Sequence, residues 1–363
     1  MKSPETEMML NPRTSLTEET SPVLDQHQFD EGALEQYMER SVEGFCRPLK
    51  VGQVRGGMSN PTFVLTDGVG RRYVLRKKPP GKLLPSAHAV DREYRVISAL
   101  WSTEVPVAEP YVLCQDPEII GVDFYIMAFV DGRVFRSYEL PDLTATERRQ
   151  IYDSMADVLA KLHQVDFRAV GLDTYGKVGG YMERQVRRWS KQYEASKTEE
   201  LPAMENLMKW LPENLPEEHE TTIAHGDFRL ENMIFHHSEP KVLAIVDWEL
   251  STLGAPLSDL AYNCLPYYVP DDMRGDLRHL NYEDYGIPSE TEYVDRYCKK
   301  MGHQEVPHWK FYLVFSLFRL AAIVQGVYKR GLEGNASSPE AITRGEKCKQ
   351  LSSAGWDLVE NGF

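Results

Sequence analysis

From about residue 140 the chain reads as amphipathic helices, and one segment breaks that pattern. TTIAHGDFRLENMIFHHSEPKVLAIVDWELS, residues 221–251, reads strand, loop, short strand, turn, strand and loop. At its centre HGDFRLEN spaces His225, Asp227 and Asn232 as H-x-D-x-x-x-x-N. Asp247 follows Asn232 by fifteen residues, at the end of an apolar strand. A β excursion that carries polar residues at both loops and lies inside helices restricts the fold to few classes. Upstream the chain has the opposite character. VGQVRGGMSNPTFVLTD and RRYVLRK read as an antiparallel meander, HAVDREYRVISALW as one helix, and YVLCQD and VDFYIMAFV as two further strands. A helix over about 29–46 precedes them, with Leu34, Tyr37 and Met38 on one side. ERRQIYDSMADVLAKLHQ and YMERQVRRWSKQYEASK then open the helical half.

The 363 residues include 41 basic and 55 acidic ones, a formal charge of −14 that makes a polyphosphate backbone a poor partner. Five cysteines, an odd number without a CxxC pair, exclude a disulfide framework and fit a reducing cytoplasm. The N-terminal stretch lacks the apolar core of a secretory signal and is acidic where a transit peptide would be Arg-rich. The apolar run FYLVFSLFRLAAIVQGVY, 311–328, holds Arg319 and Gln325, so it reads as a buried core helix and no membrane is expected.

The spacing in HGDFRLEN has a chemical reading. Phosphoryl transfer needs one carboxylate to orient and deprotonate an acceptor hydroxyl, and oxygen ligands for the Mg²⁺ that bridges the phosphates. Asp227 fits the base, Asn232 and Asp247 the metal ligands, and His225 a support of the loop from within. The adjacent pair His236 and His237 points to opposite sides of a strand and reads as a surface pair flanking a turn.

The same spacing resembles the protein-kinase catalytic loop H-R-D-x-x-x-x-N with its later D-F-G. Gly226 stands in place of the Arg, and Trp248–Glu249 in place of Phe–Gly. Those departures resemble the aminoglycoside phosphotransferase family. The resemblance implies an α+β, bilobal protein-kinase-like fold with a small β-rich N-lobe and a larger helical C-lobe. Its boundaries fall at a flexible tail over 1–28, a nucleotide-binding lobe over 29–130, and a catalytic and substrate-binding lobe over 131–363. It implies ATP and Mg²⁺ as cofactors. GGMSNPTF takes the place of the nucleotide loop, with Gly57, Ser59 and Asn60 toward phosphate. Arg76, by register with V-A-I-K, or Lys77 one place on, supplies the phosphate-binding cation, and Glu93 pairs with it. Met127, Ala128, Phe129 and Val130 form the strand end and hinge whose backbone meets adenine. Asp259 in PLSDLAY braces the catalytic loop.

Longer stretches, YVLRKKPPGKLLPSAH, DREYRV, YGKVGGYMERQVRRWSKQY and VLAIVDWELSTLGAPLSDLAY, resemble one subgroup. It comprises the kinase segment of acyl-CoA dehydrogenase family members ten and eleven and the free-standing bacterial kinases of levulinate breakdown. The resemblance implies a 4-hydroxyacyl-CoA acceptor, and the absence of a following dehydrogenase segment implies a free-standing kinase. Arg184, Arg187, Arg188 and Lys191 share one helical face, a basic stripe suited to the phosphates of coenzyme A. Two rival readings stand beside it. One is a kinase of another alcohol, such as an aminoglycoside, choline or a sugar-like compound. The other is a pseudokinase that binds nucleotide or CoA, against which the presence of Asp227, Asn232 and Asp247 argues.

Overall fold

The computed structural model describes residues 20–54, 60–79, 89–269, 274–334 and 339–362. In chain order its first elements are β1 (Thr20–Ser21), α1 (Glu31–Ser41), β2 (Lys50–Val54), β3 (Thr62–Thr66), β4 (Arg72–Lys77), α2 (Val90–Leu100), β5 (Pro110–Cys114), α3 (Pro117–Ile120) and β6 (Phe124–Ala128). Then come α4 (Ala145–His163), α5 (Tyr181–Ser196), α6 (Pro202–Glu213), β7 (Thr222–Ala224), β8 (Met233–Phe235), β9 (Val242–Ile245) and β10 (Thr252–Gly254). The rest are α7 (Pro256–Asn263), α8 (Tyr282–Tyr285), α9 (Glu290–Met301), α10 (Trp309–Leu332) and α11 (Arg344–Asn361).

The chain divides into two compact units, Met1–Arg136 with Leu230–Glu249, and Ser137–Arg229 with Leu250–Phe363. The first is built on a six-stranded antiparallel sheet of order β1-β2-β3-β4-β6-β5. Its β3–β4 hairpin is set by Asp67, whose Oδ1 accepts from the amides of Val69 at 3.0 Å and Arg71 at 2.8 Å. Gly70 sits there at φ 85°, which a residue with a Cβ adopts rarely. Strand alternation then sorts the side chains. Tyr73 and Leu75 of β4 and Phe124 and Ile126 of β6 join Leu34 and Met38 of α1 in one apolar cluster. Arg76 and Tyr125, one place on, face the other way, toward Glu93 of α2.

Two expectations about boundaries change. Within the expected tail, Thr20–Ser21 pairs antiparallel with Val54 and Gln53 of β2, while residues 1–19 lie outside the described residues. The stretch Leu230–Glu249, expected in the helical lobe, groups with the first unit instead. Backbone hydrogen bonds explain this. Arg133 exchanges both of its backbone groups with Phe235 of β8, and the Ile245 amide of β9 donates to the Pro106 carbonyl at 2.9 Å.

The second unit is helical. Its centre is α10, the apolar run read as a core helix; 72% of its most apolar window is buried, although its length and composition alone would suit a membrane. It packs against α5, α6, α7 and α11. Arg296 of α9 fastens α4 through Asp157 at 2.9 Å and Asp153 at 3.2 Å. β7 and β10 form a two-stranded antiparallel ladder that places His225 just after one strand and Ser251 just before the other.

Leu65 of β3 is fully buried in the first unit's cluster. Leu65→Ala should lower the opening free energy of the sheet amides by about 2–5 kcal/mol. Val69→Ala, on the exposed hairpin turn, should change it by no more than about 0.5 kcal/mol. Native-state hydrogen exchange of β3 and β4 measures both.

Candidate active site

In the first unit the sequence places one arginine between two carboxylates. Arg76 reaches Glu93 Oε2 at 3.1 Å through Nη1 and Asp247 Oδ1 at 3.2 Å through Nη2. Glu93 is 1% exposed and is held on its other side by the Tyr125 hydroxyl at 3.0 Å and the Asn60 amide at 2.6 Å. Burial disfavours the Arg76 charge, but Glu93, Tyr125 and Asp247 outweigh it and lift its pKa above the ordinary value. Lys77 answers the question of register. It faces the opposite side of β4, with Nζ 5.5 Å from the Phe29 ring and 5.8 Å from the Phe63 ring, and burial lowers its pKa.

Asp247 follows β9 at φ 67°, in the left-handed region that residues other than glycine seldom enter. Such a conformation persists only where the surroundings hold it, and it marks functional sites more often than chance. The next residue anchors it: Trp248 is 1% exposed and its indole donates to the Ile245 carbonyl at 3.0 Å. The preceding amide, Val246, donates to the Asn232 carbonyl at 2.9 Å, so the two candidate metal ligands sit on neighbouring, bonded backbone. Asp247 keeps 34% of its side chain exposed.

In the second unit the loop after β7 is fixed peptide by peptide. Asp259, in the first turn of α7 and 1% exposed, accepts from the His225 amide at 2.6 Å and the Gly226 amide at 2.9 Å. The Asp227 amide donates to His225 Nδ1 at 3.2 Å, which places the proton of a neutral ring on Nε2. One turn along α7, Asn263 donates to the Phe228 carbonyl at 3.3 Å and is held by the Tyr293 hydroxyl at 2.6 Å. Arg319 of α10 donates to the Gly226 carbonyl. Gly226 stands at φ 83°, and a Cβ there would lie 2.6 Å from the Leu250 carbonyl oxygen. No other residue fits this position. The Asp227 carboxylate itself pairs with Arg229 at 3.2 Å.

Residues 50–293 match the model of the phosphotransferase enzyme family (APH). The chain belongs to this family. It is 45% identical over 349 residues to mouse acyl-CoA dehydrogenase family member 10, covering 95% of this chain and 32% of that protein. Human acyl-CoA dehydrogenase family member 11 is 42% identical over 360 residues, with 98% and 46% covered. The phosphotransferase chain thus spans less than half the length of these relatives. Among solved structures, a protein from Ralstonia eutropha JMP134 classed by resemblance with aminoglycoside phosphotransferases superposes with a TM-score of 0.84 at 46% identity, over 92% of this chain and 99% of that one. Aminoglycoside phosphotransferase APH(4)-Ia, in complex with AMP-PNP and hygromycin B, shares the fold at a TM-score of 0.57 and 15% identity, over 91% and 99%.

The phosphotransferase differs from the sequence reading at several residues. Gly57 and Ser59 lie outside the described residues. Asn60 turns its amide to Glu93. At the strand end beyond Met127, the amides of Ala128 and Phe129 already donate to the carbonyls of Glu109 at 2.8 Å and Arg72 at 3.3 Å. Those two N–H groups belong to the sheet, and Val130 follows it. Arg184 leaves the basic stripe, because its guanidinium donates to the carbonyls of Gly179 and Lys177 before α5. Arg187, Arg188 and Lys191 stay exposed. Asn263 and Arg319 join the site in the structure. Asn263 stands four residues after Asp259 on the same helix face, and Arg319 is a charge inside an apolar run; both signals were readable.

Burial pushes the Asp259 carboxyl up, but His163, His225 and the Gly226 amide together hold it below its ordinary value. A carboxyl with a lowered folded-state pKa stabilises the fold above its unfolded pKa, and that stability is lost as pH falls through the folded value. Asp259→Asn should therefore destabilise the second unit by about 3 kcal/mol at pH 7, because one of the two amides loses an acceptor. The deficit should start to shrink below about pH 4, where the unfolded wild-type carboxyl protonates, and go on shrinking as pH falls through the lower folded value. Thermal melts of both proteins across pH measure it.

Proposed function

We propose that this phosphotransferase moves the γ-phosphoryl group of ATP onto the 4-hydroxyl of a 4-hydroxyacyl-CoA. One observation carries the acceptor. At least 95% of the chain aligns within two relatives named for acyl-CoA chemistry, of which it makes up 32% and 46%. The exposed Arg187, Arg188 and Lys191 on α5 support it, since a cationic face in a chain of charge −14 suits the phosphates of coenzyme A. The same face disfavours a cationic aminoglycoside as acceptor.

The roles follow from the chemistry of each group. Asp227 orients the hydroxyl and takes its proton as the new O–P bond forms and the bond from the γ-phosphorus to the β–γ bridging oxygen breaks, leaving ADP. The guanidinium of Arg76 binds phosphate oxygens, with Glu93, Tyr125 and Asn60 holding it at the right extension. Asn232 and Asp247 fit Mg²⁺: they offer a carbonyl and a carboxylate oxygen. Among the described residues no group of three or more His, Cys, Asp or Glu forms a closed metal cage. A site with few protein ligands leaves the rest of the shell to phosphate and water, which is how Mg²⁺ binds. When bound, the ion neutralises charge on the phosphate oxygens.

The direct test is ATP-dependent phosphorylation of 4-hydroxyvaleryl-CoA, with the free 4-hydroxy acid, an aminoglycoside and choline as controls. Turnover of the thioester alone supports the proposal; turnover of a control alone, or of none across several acyl lengths, sinks it. Asp227→Asn should lower kcat by about 10²–10⁴-fold while nucleotide binding stays unchanged in calorimetry. Asp247→Ala should instead weaken Mg²⁺-nucleotide binding itself. Replacing Arg187, Arg188 and Lys191 together with Ala should raise KM for the CoA thioester about tenfold or more and leave KM for ATP alone.

A further inference from the structure

A charge deep in the second unit's core makes no ion pair among the described residues. Arg319 stands mid-way along α10, the most apolar helix of the chain, and is 5% exposed. Its guanidinium carbon lies 5.1 Å from the Tyr262 ring centroid and 5.5 Å from that of Trp189. Among the described residues its Nε has no hydrogen-bond partner, and no ion pair of its guanidinium is found. Ring faces compensate a buried cation only in part. A methionine or leucine would fill such a place without the cost of desolvating a charge. The reason for the charge must lie in what it holds, and among the described residues its hydrogen bond runs from Nη2 to the Gly226 carbonyl at 2.5 Å.

That carbonyl is the oxygen of the peptide whose N–H belongs to Asp227. The N–H end is held by His225 Nδ1, and the two preceding amides by Asp259. The orientation of this peptide plane is set by ψ of Gly226. Glycine restricts that torsion least of all residues, and glycine is required here because φ is 83° and a Cβ would strike Leu250. His225 holds the N–H end of this plane from within the loop, and Arg319 holds its carbonyl end from α10. We infer that Arg319 is a positioning residue: its guanidinium locks the Gly226–Asp227 peptide plane and so aims the Asp227 carboxylate. This rests on the reading of Asp227 as the acceptor's base.

The test compares Arg319→Met and Arg319→Lys in the full chain. The first readout needs no acceptor. Amide exchange over 224–229 should speed up in Arg319→Met while the sheet amides of β3 and β4 keep their protection. Arg319→Lys, which can still donate to the carbonyl, should fall between Met and wild type, and it carries the comparison if the Met variant does not fold. Unchanged exchange in the loop of either variant overturns the inference. The second readout uses any acceptor that the wild type phosphorylates. Arg319→Met should lower kcat about 100-fold, the cost of a misplacement of about 1 Å, with KM for ATP unchanged. In an Asp227→Asn background the same change should cost nothing further, since both act through one carboxylate. A full additional loss there points to general disruption and also overturns the inference. If Asp227→Asn itself retains wild-type turnover, the reading of the base fails, and the exchange data still decide whether Arg319 holds the loop.

Discussion

A single carboxylate, that of Asp259, organises the second unit. It receives two successive amides of the loop after β7 and faces His163 of α4, whose other ring nitrogen lies 2.8 Å from the Tyr297 hydroxyl of α9. Three helices and a loop thus meet at one buried charge. A buried carboxylate tolerates this only when its oxygens are hydrogen-bonded, and the two loop amides and His163 supply partners to both. Pro256 opens α7 and Asp259 falls in its first turn, where the helix dipole also favours a negative charge.

The first unit relies on parity. Because strand side chains alternate, the chain can bury Leu75 against α1 and present Arg76 to α2 from adjacent positions. Arg76 then bridges Glu93 and Asp247, so its long planar guanidinium uses two faces where a lysine would offer one compact charge. Where the protein-kinase pattern has lysine this chain has Arg76, and the geometry shows how arginine takes two carboxylates at once.

Much of this was legible. The strand meander, α2 and the long core helix follow from periodicity, although the short α3 between β5 and β6 does not, and the H-x-D-x-x-x-x-N spacing identifies the loop. Strand alternation alone says that Arg76 and Lys77 face opposite ways; it cannot say which side α2 covers, because that depends on packing far along the chain. Arg184 shares a face with Arg187 and Arg188, but proximity to the carbonyls before α5 diverts its guanidinium. The amides of Ala128 and Phe129 were unreadable for a similar reason: a strand's partners set which N–H groups remain. In the sequence Arg319 speaks only against a membrane span, since periodicity places it in the core without naming what it touches.

The path of the chain has a consequence for its biosynthesis. The six strands of the first unit's sheet are complete by Ala128, yet β8 and β9 of the same unit emerge only after Leu230. The polypeptide crosses between units after Arg136, Arg229 and Glu249. On the ribosome Arg76 can therefore settle against Glu93 early but must wait for Asp247. No contiguous fragment contains one unit whole without part of the other, so cutting the gene at one point cannot separate them.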